Sequence, residues 1–124
     1  MNNYELGIMG QEKVLQMYLD QGYTLVTQNF NYYQSEKEGE LDLILEKGNK
    51  LTIVEVKTRS NDKFGDAALQ ITKKKLMCVY KSYQGFVKKY SRYALYFVQM
   101  DLATVQEGEV KIYPNCYSFE GLMR

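Results

Sequence analysis

The stretch ELDLILEKGNKLTIVEVKT, residues 40–58, constrains the fold more than any other part of the chain. Two apolar-rich runs flank KGNK, the composition of a tight hairpin with Gly48 first in the turn. The first run alternates, which predicts Leu41, Leu43 and Leu45 on one side of a strand. Counting outward from Lys47 and Lys50 pairs Ile44 with Ile53, Leu43 with Val54 and Leu41 with Val56, all apolar matches. The same register sets Asp42 opposite Glu55 and Glu40 opposite Lys57. Opposed side chains share a face, with Cβ atoms about 4.5–5.5 Å apart, so two facing carboxylates repel. A hard divalent cation turns that repulsion into coordination, because Mg²⁺ takes one or two carboxylates together with waters and phosphate oxygens. Lys57 on the same face would orient an attacking water or offset phosphate charge. Ile44 and Ile53 make one end of this face apolar and the other polar, as at the mouth of a cleft. The plain alternative is a solvated sheet face on which Glu40 and Lys57 form an ordinary cross-strand ion pair.

With 124 residues, the chain has room for one domain (1–124) and one real core. Asn2 or Asn3 followed by Glu5 reads as a helix start, and Leu6, Met9, Val14, Leu15, Tyr18 and Leu19 recur at helical spacing until Gly22. Residues 23–30 read as a strand and the polar stretch 31–39 as a loop. A basic helix is expected over 67–89, with Leu69, Leu76, Val79, Tyr80, Tyr83 and Val87 roughly on one stripe. A buried strand is expected over 93–100, and a weak edge strand over 109–113 that Pro114 halts. The order α-β-β-β-α-β(-β) predicts an α/β sandwich around a mixed sheet.

The chain contains no histidine, which removes imidazole bases, histidine metal sites and the histidine-based triads. Cys78 and Cys116 are far apart and form no CxxC, so they read as reduced thiols. No apolar run approaches the ~18 residues of a membrane span. The first residues lack a signal-peptide pattern, so a cytoplasmic protein with no membrane partner is expected. Net charge is only +1, yet residues 67–92 contain no acid and include Lys73, Lys74, Lys75, Lys81, Lys88, Lys89 and Arg92. Such clusters neutralise phosphates, although a lysine run is ordinarily the solvated face of a helix. Arg59 would contact phosphate or pair with Asp62 or Asp66. Tyr32 and Tyr33 are placed to stack on unpaired bases.

Asp42 followed by Glu55 and Lys57 on a hairpin resembles the PD-(D/E)XK nuclease superfamily. More closely, the chain is similar to the YraN family of predicted nucleases, relatives of archaeal Holliday-junction resolvases. The resemblance runs from about residue 6 to 100 and rests on GxxGQE (7–12), GY (22–23), Asn29, GELDLI (39–44), VEVKTR (54–59), FGDAA (64–68) and Lys75. It implies a restriction-endonuclease-like three-layer α/β sandwich. Asp42 and Glu55 would bind Mg²⁺ or Mn²⁺, and Lys57 would be catalytic. The first-helix glutamate would be Glu12, although spacing to Gly22 falls on Gln11. Lys73, Lys74, Lys75 and Arg59 would contact nucleic acid, most naturally DNA, with junctions or other branched forms as the structural preference. A homodimer would follow from the two strands that a junction presents. Where the family carries an aspartate in an RFDVV-like strand, this chain reads RYALY, with Ala94. A weakly catalytic or inactive nucleic-acid-binding protein on the same fold, and a domain that docks another protein through its polar face, are the competing expectations.

Overall fold

The computed structural model describes residues 2–59 and 71–119. Helix α1 (Asn3–Asp20) starts where the Asn2 side chain accepts a 2.8 Å bond from Glu5 N, satisfying one of the free amides of the first turn. It buries Gly10, Val14 and Tyr18, a stripe at four-residue spacing. Strands β1 (Thr24–Tyr33), β2 (Lys37–Lys47) and β3 (Lys50–Arg59) follow as an antiparallel meander. Helix α2 (Lys73–Lys89) then leads through a 3₁₀ turn at Ser91–Tyr93 into β4 (Phe97–Gln106) and β5 (Glu109–Tyr117). The five strands lie in sequence order, with β3 and β4 parallel and the other neighbours antiparallel, so the sheet is mixed.

The helices cover opposite faces. Val14 and Tyr18 of α1 pack with Leu43, Leu45, Val54, Ala103 and Val105. Val79 and Phe86 of α2 pack with Leu41, Ile44, Leu51, Ile53 and Met100. The result is the expected α/β sandwich of three layers, in the expected order. Among the described residues, no helix is long and apolar enough to cross a membrane.

Four expectations change in detail. Residues 31–39 are mostly strand, because β1 and β2 run on to a turn at 34–36 whose polar side chains face solvent. The described part of the basic helix is α2, and the first residues expected in it, 67–70, lie outside the described set. The last long strand lies further on than residues 93–100. Tyr93 closes the α2 layer against Phe86, Leu95 is 94% exposed, and the buried run is Met100 to Val105. Finally, β5 continues past Pro114 on the sheet edge. A register shift opposite Met100 and Leu102, with Asn115 at φ 49°, absorbs the residue that lacks an amide hydrogen.

One correction bears on the site. Leu43 and Leu45 share one side as predicted, the side that α1 covers, but Leu41, expected with them, sits with Ile44 in the α2 cluster. Its partner Phe30 faces α2 as well, whereas Gln28, opposite Leu43, lies on the α1 side. Both strands therefore turn over within one step, at Asp42 in β2 and at Asn29 in β1. Asn29 adopts the left-handed φ of 53°, which asparagine tolerates better than other residues with a side chain.

Candidate active site

The hairpin register runs as counted from the turn: Lys47 with Lys50, Ile44 with Ile53, Leu43 with Val54. The ladder then ends. Where β2 turns over, the Asp42 carboxylate itself accepts the next strand hydrogen, from Val56 N at 2.8 Å. Asp42 thus bonds one residue beyond the Glu55 that the count set opposite it, and holds β2 and β3 together as they diverge. Burial pushes the Asp42 pKa up, while the Val56 bond and the charge of Lys75 pull it back.

Glu55 is 7% exposed. Burial and then the charge of Asp42 push its pKa up to about 8, against the opposing pull of Lys75. Glu55 Oε2 lies 3.5 Å from Lys75 Nζ, and Oε1 is buried with no hydrogen-bond partner among the described residues. Lys75 comes from the first turn of α2, which the Thr72 side chain caps by accepting from Lys75 N. Lys57 is half-buried and lines a cavity of about 160 Å³ with Glu55, Thr72, Lys75 and Tyr117. The structure so gathers Asp42, Glu55, Lys57 and Lys75 at the end of the sheet where β2 and β3 part.

Gln11, and not Glu12, occupies the first-helix position against this site. Its Nε2 donates to Asn29 Oδ1 at 3.0 Å and to the Asp42 carbonyl at 3.3 Å, pinning both turnover residues to α1. The signal was available: 7, 11, 14 and 18 make one helical stripe, and Glu12 lies off it, exposed. Glu12 borders the cavity on the α1 side, of about 620 Å³, which Gln11, Gln28, Asn29, Glu40 and Asp42 also line. Glu40 pairs with Lys37 at 2.9 Å rather than with the expected Lys57.

Lys73 and Lys74 stand exposed beside Lys75 at the start of α2. Arg59 is elsewhere: its Nη1 donates to the Thr58 carbonyl, and it lines a cavity of about 280 Å³ between α1 and the β4–β5 turn. Its alternative partners Asp62 and Asp66, and FGDAA, lie outside the described residues. Tyr32 packs against Gly85 of α2, while Tyr33 is 60% exposed.

Sequence reasoning missed Asp101. Ala94 of RYALY lies at the end of the 3₁₀ turn, ahead of β4, and β4 itself carries an acidic residue. Asp101 is 2% exposed and accepts bonds from Tyr18 Oη at 2.6 Å, Gln99 Nε2 at 2.8 Å and Asn115 N at 2.8 Å. It ties α1 to the β5 bulge, and together with burial it pushes the Tyr18 hydroxyl pKa well up.

Asp42 and Glu55 have the donor chemistry for Mg²⁺ or Mn²⁺. Among the described residues, no group of three acidic, cysteine or histidine side chains converges to hold a metal unaided. A two-carboxylate set is nonetheless a usual protein share for Mg²⁺, and the orphaned Glu55 oxygen fits such a ligand.

Comparison with known proteins agrees with the span of these features. A family model described as "Uncharacterised protein family UPF0102" matches residues 10–105. A UPF0102 protein of Syntrophomonas wolfei is 32% identical over 112 residues, which cover 89% of this chain and 93% of that protein. One from Caldicellulosiruptor saccharolyticus is 37% identical over 89 residues, 72% of each chain. Another, from Acinetobacter baumannii strain AYE, is 30% identical over 98 residues, 79% of this chain and 71% of the relative. The matched span takes in the Gln11 clamp, both candidate carboxylates and the buried Asp101, and the chain belongs to the UPF0102 family.

Proposed function

We propose that this protein is a divalent-metal-dependent nuclease of the PD-(D/E)XK type, hydrolysing DNA phosphodiester bonds and acting on branched or junction forms. The observation that carries the reading is Glu55: a buried carboxyl group with an orphaned oxygen, within the electrostatic reach of Asp42 and flanked by Lys75. A buried carboxyl oxygen left without a hydrogen bond is costly, and folds keep such groups where a ligand completes them.

Asp42 and Glu55 would hold Mg²⁺ or Mn²⁺, which supplies Lewis-acid stabilisation of phosphate charge and eases deprotonation of water. The Val56 amide fixes the Asp42 carboxylate, so the ligand is positioned before anything binds. Lys57 and Lys75 border the small cavity beside Glu55 and would face the charge of the scissile phosphate. The first turn of α2 supports the same placement: lysines and no acid there oppose the helix dipole, an arrangement that a bound phosphate offsets.

Gln11 favours a second reading, a nucleic-acid-binding protein with little catalysis, because it supplies an amide where resolvase-like relatives carry a carboxylate. Titration calorimetry with Mn²⁺ tests the metal site. Wild type should give binding heat that Asp42→Asn and Glu55→Gln each weaken at least ~10-fold, and equal heats in all three proteins would sink the nuclease reading. Cleavage of duplex, single-stranded, flap and four-way-junction DNA then separates the two readings: salt-sensitive binding without cleavage selects the second.

A further inference from the structure

Gly7 opens the GxxGQE motif, and packing within the protein does not call for it. Gly10, the second glycine, meets Thr58 so closely that a Cβ would collide with the threonine side chain. At Gly7 a Cβ would find nothing within 4 Å, and its φ is not among the positive values. A glycine inside a helix costs about 1 kcal/mol relative to alanine. Here it leaves bare backbone on the wall of the 620 Å³ cavity, a volume within the range of small-ligand sites (roughly 300–1,000 Å³).

The rest of the lining says what kind of ligand suits the space. Tyr4, one turn before Gly7, is 77% exposed, and Ile8, the next residue, is 44% exposed, both on the cavity wall. Amides of Asn3, Gln11, Gln28 and Asn29 also line it, and Gln11 takes up the oxygens of Gln28 and Asn29. Their amide nitrogens are left with no acceptor among the described residues. Glu12, Glu40 and Asp42 add acceptors, and among the described residues no lysine or arginine contributes to the lining. An acidic, amide-rich cavity rejects a phosphate. It suits a flat, uncharged group with donors and acceptors on its edge and an aromatic face.

We propose that this cavity binds an unpaired nucleobase of the nucleic-acid strand whose phosphates lie on the Lys57–Lys75 side of Asp42. The proposal rests on the nuclease reading for that strand and adds to it where the bases go. Tyr4 stacks on the base, the amides and Glu12 take its edge, and Gly7 lets it approach the helix backbone. Asp42 borders this cavity and sits in the electrostatic field of Lys75, so a strand crossing at Asp42 has a basic flank for phosphate and an amide flank for bases. A base stacked in an intact duplex cannot enter. The preferred substrate is therefore single-stranded or splayed at this point.

The test compares fluorescence anisotropy of an intact eight-nucleotide single strand with that of an abasic strand of equal length, in Ca²⁺ to hold off cleavage. Wild type should bind the intact strand at least ~5-fold more tightly, the lower end expected for one stacked base. Gly7→Leu should bind both strands like the abasic one while keeping wild-type Mn²⁺ heat and unfolding at or above the wild-type temperature. Tyr4→Ala, at an exposed position, should reduce the preference and serves as the second variant should Gly7→Leu fail to fold. Equal binding of the two strands by wild type overturns the base site and leaves the nuclease reading standing. A folded Gly7→Leu or Tyr4→Ala protein that keeps the full preference also overturns it. Wild type that gives Mn²⁺ heat but binds neither strand overturns both the base site and the nucleic-acid reading.

Discussion

At Glu55, burial and a neighbouring carboxylate act in the same direction on one proton. Its pKa rises from 4.5 to about 8, so between those values the folded chain retains a proton that the unfolded chain has released. Stability without divalent metal must then fall as pH rises through that window. Urea unfolding in EDTA should show this fall in wild type and not in Glu55→Gln. Above pH 8 the variant should be the more stable protein by roughly 1–3 kcal/mol, the usual cost of an unsatisfied buried group. A wild-type stability that climbed across the window would mean that Glu55 is ionised in the fold. The spacing of Asp42, Glu55 and Lys57 was legible because a two-residue turn fixes the register of what flanks it. The bond from Val56 to Asp42 was not, since it exists only where the ladder fails. Asp101 was hidden for a related reason: a charged residue within a buried strand is acceptable only once Tyr18, Gln99 and Asn115 supply its donors, and these come from three separate elements.

Among the elements, α2 makes a close approach to β2. Gly39 of β2 passes directly beneath it, and a Cβ there would strike Ser82 Oγ and stand 3.0 Å from the Cys78 carbonyl oxygen. The Cys78 carbonyl is helix backbone that cannot step aside alone, and it already accepts from Ser82 Oγ at 2.8 Å. Gly39→Ala should therefore destabilise by about 1–3 kcal/mol, the range for overpacking a tight contact, read as a lower urea midpoint at unchanged slope. An unchanged midpoint would mean that α2 can lift off the sheet at no cost. The helix stripe of Leu76, Val79, Tyr80 and Tyr83 was readable from period alone. Phe86 and Ser82, which lie deepest, were not singled out, and Gly85 between them is a seat for Tyr32. The position of β4 was lost to composition: the aromatic run at its start is largely solvent-facing, and the plainer Met100–Val105 run is the core.

For the whole molecule, the near-neutral charge conceals a division of labour between the two faces. The α2 side presents Lys73, Lys74 and Lys75 beside Glu55, whereas the α1 side presents amides and acids around Gly7. Replacing Lys73 and Lys74 together by glutamine should weaken single-strand binding and flatten its dependence on salt. The slope of log affinity against log salt should drop by roughly 1.4, about 0.7 for each lost phosphate contact. An unchanged slope would assign these lysines to solvent. The α/β order was legible throughout, since helical and strand periods alternate along the chain; which helix covers which stretch of β2 was not. The paired turnover at Asn29 and Asp42 decides that. It also limits how the family can change length. Deleting one residue from β1 or β2 alone would leave Phe30 and Leu41 facing different helices, so an insertion or loss in this region is tolerable only if both strands alter together. The turnover acts as a two-key lock on drift, holding the Gln11 clamp and the Asp42 carboxylate in step through changes elsewhere in the chain.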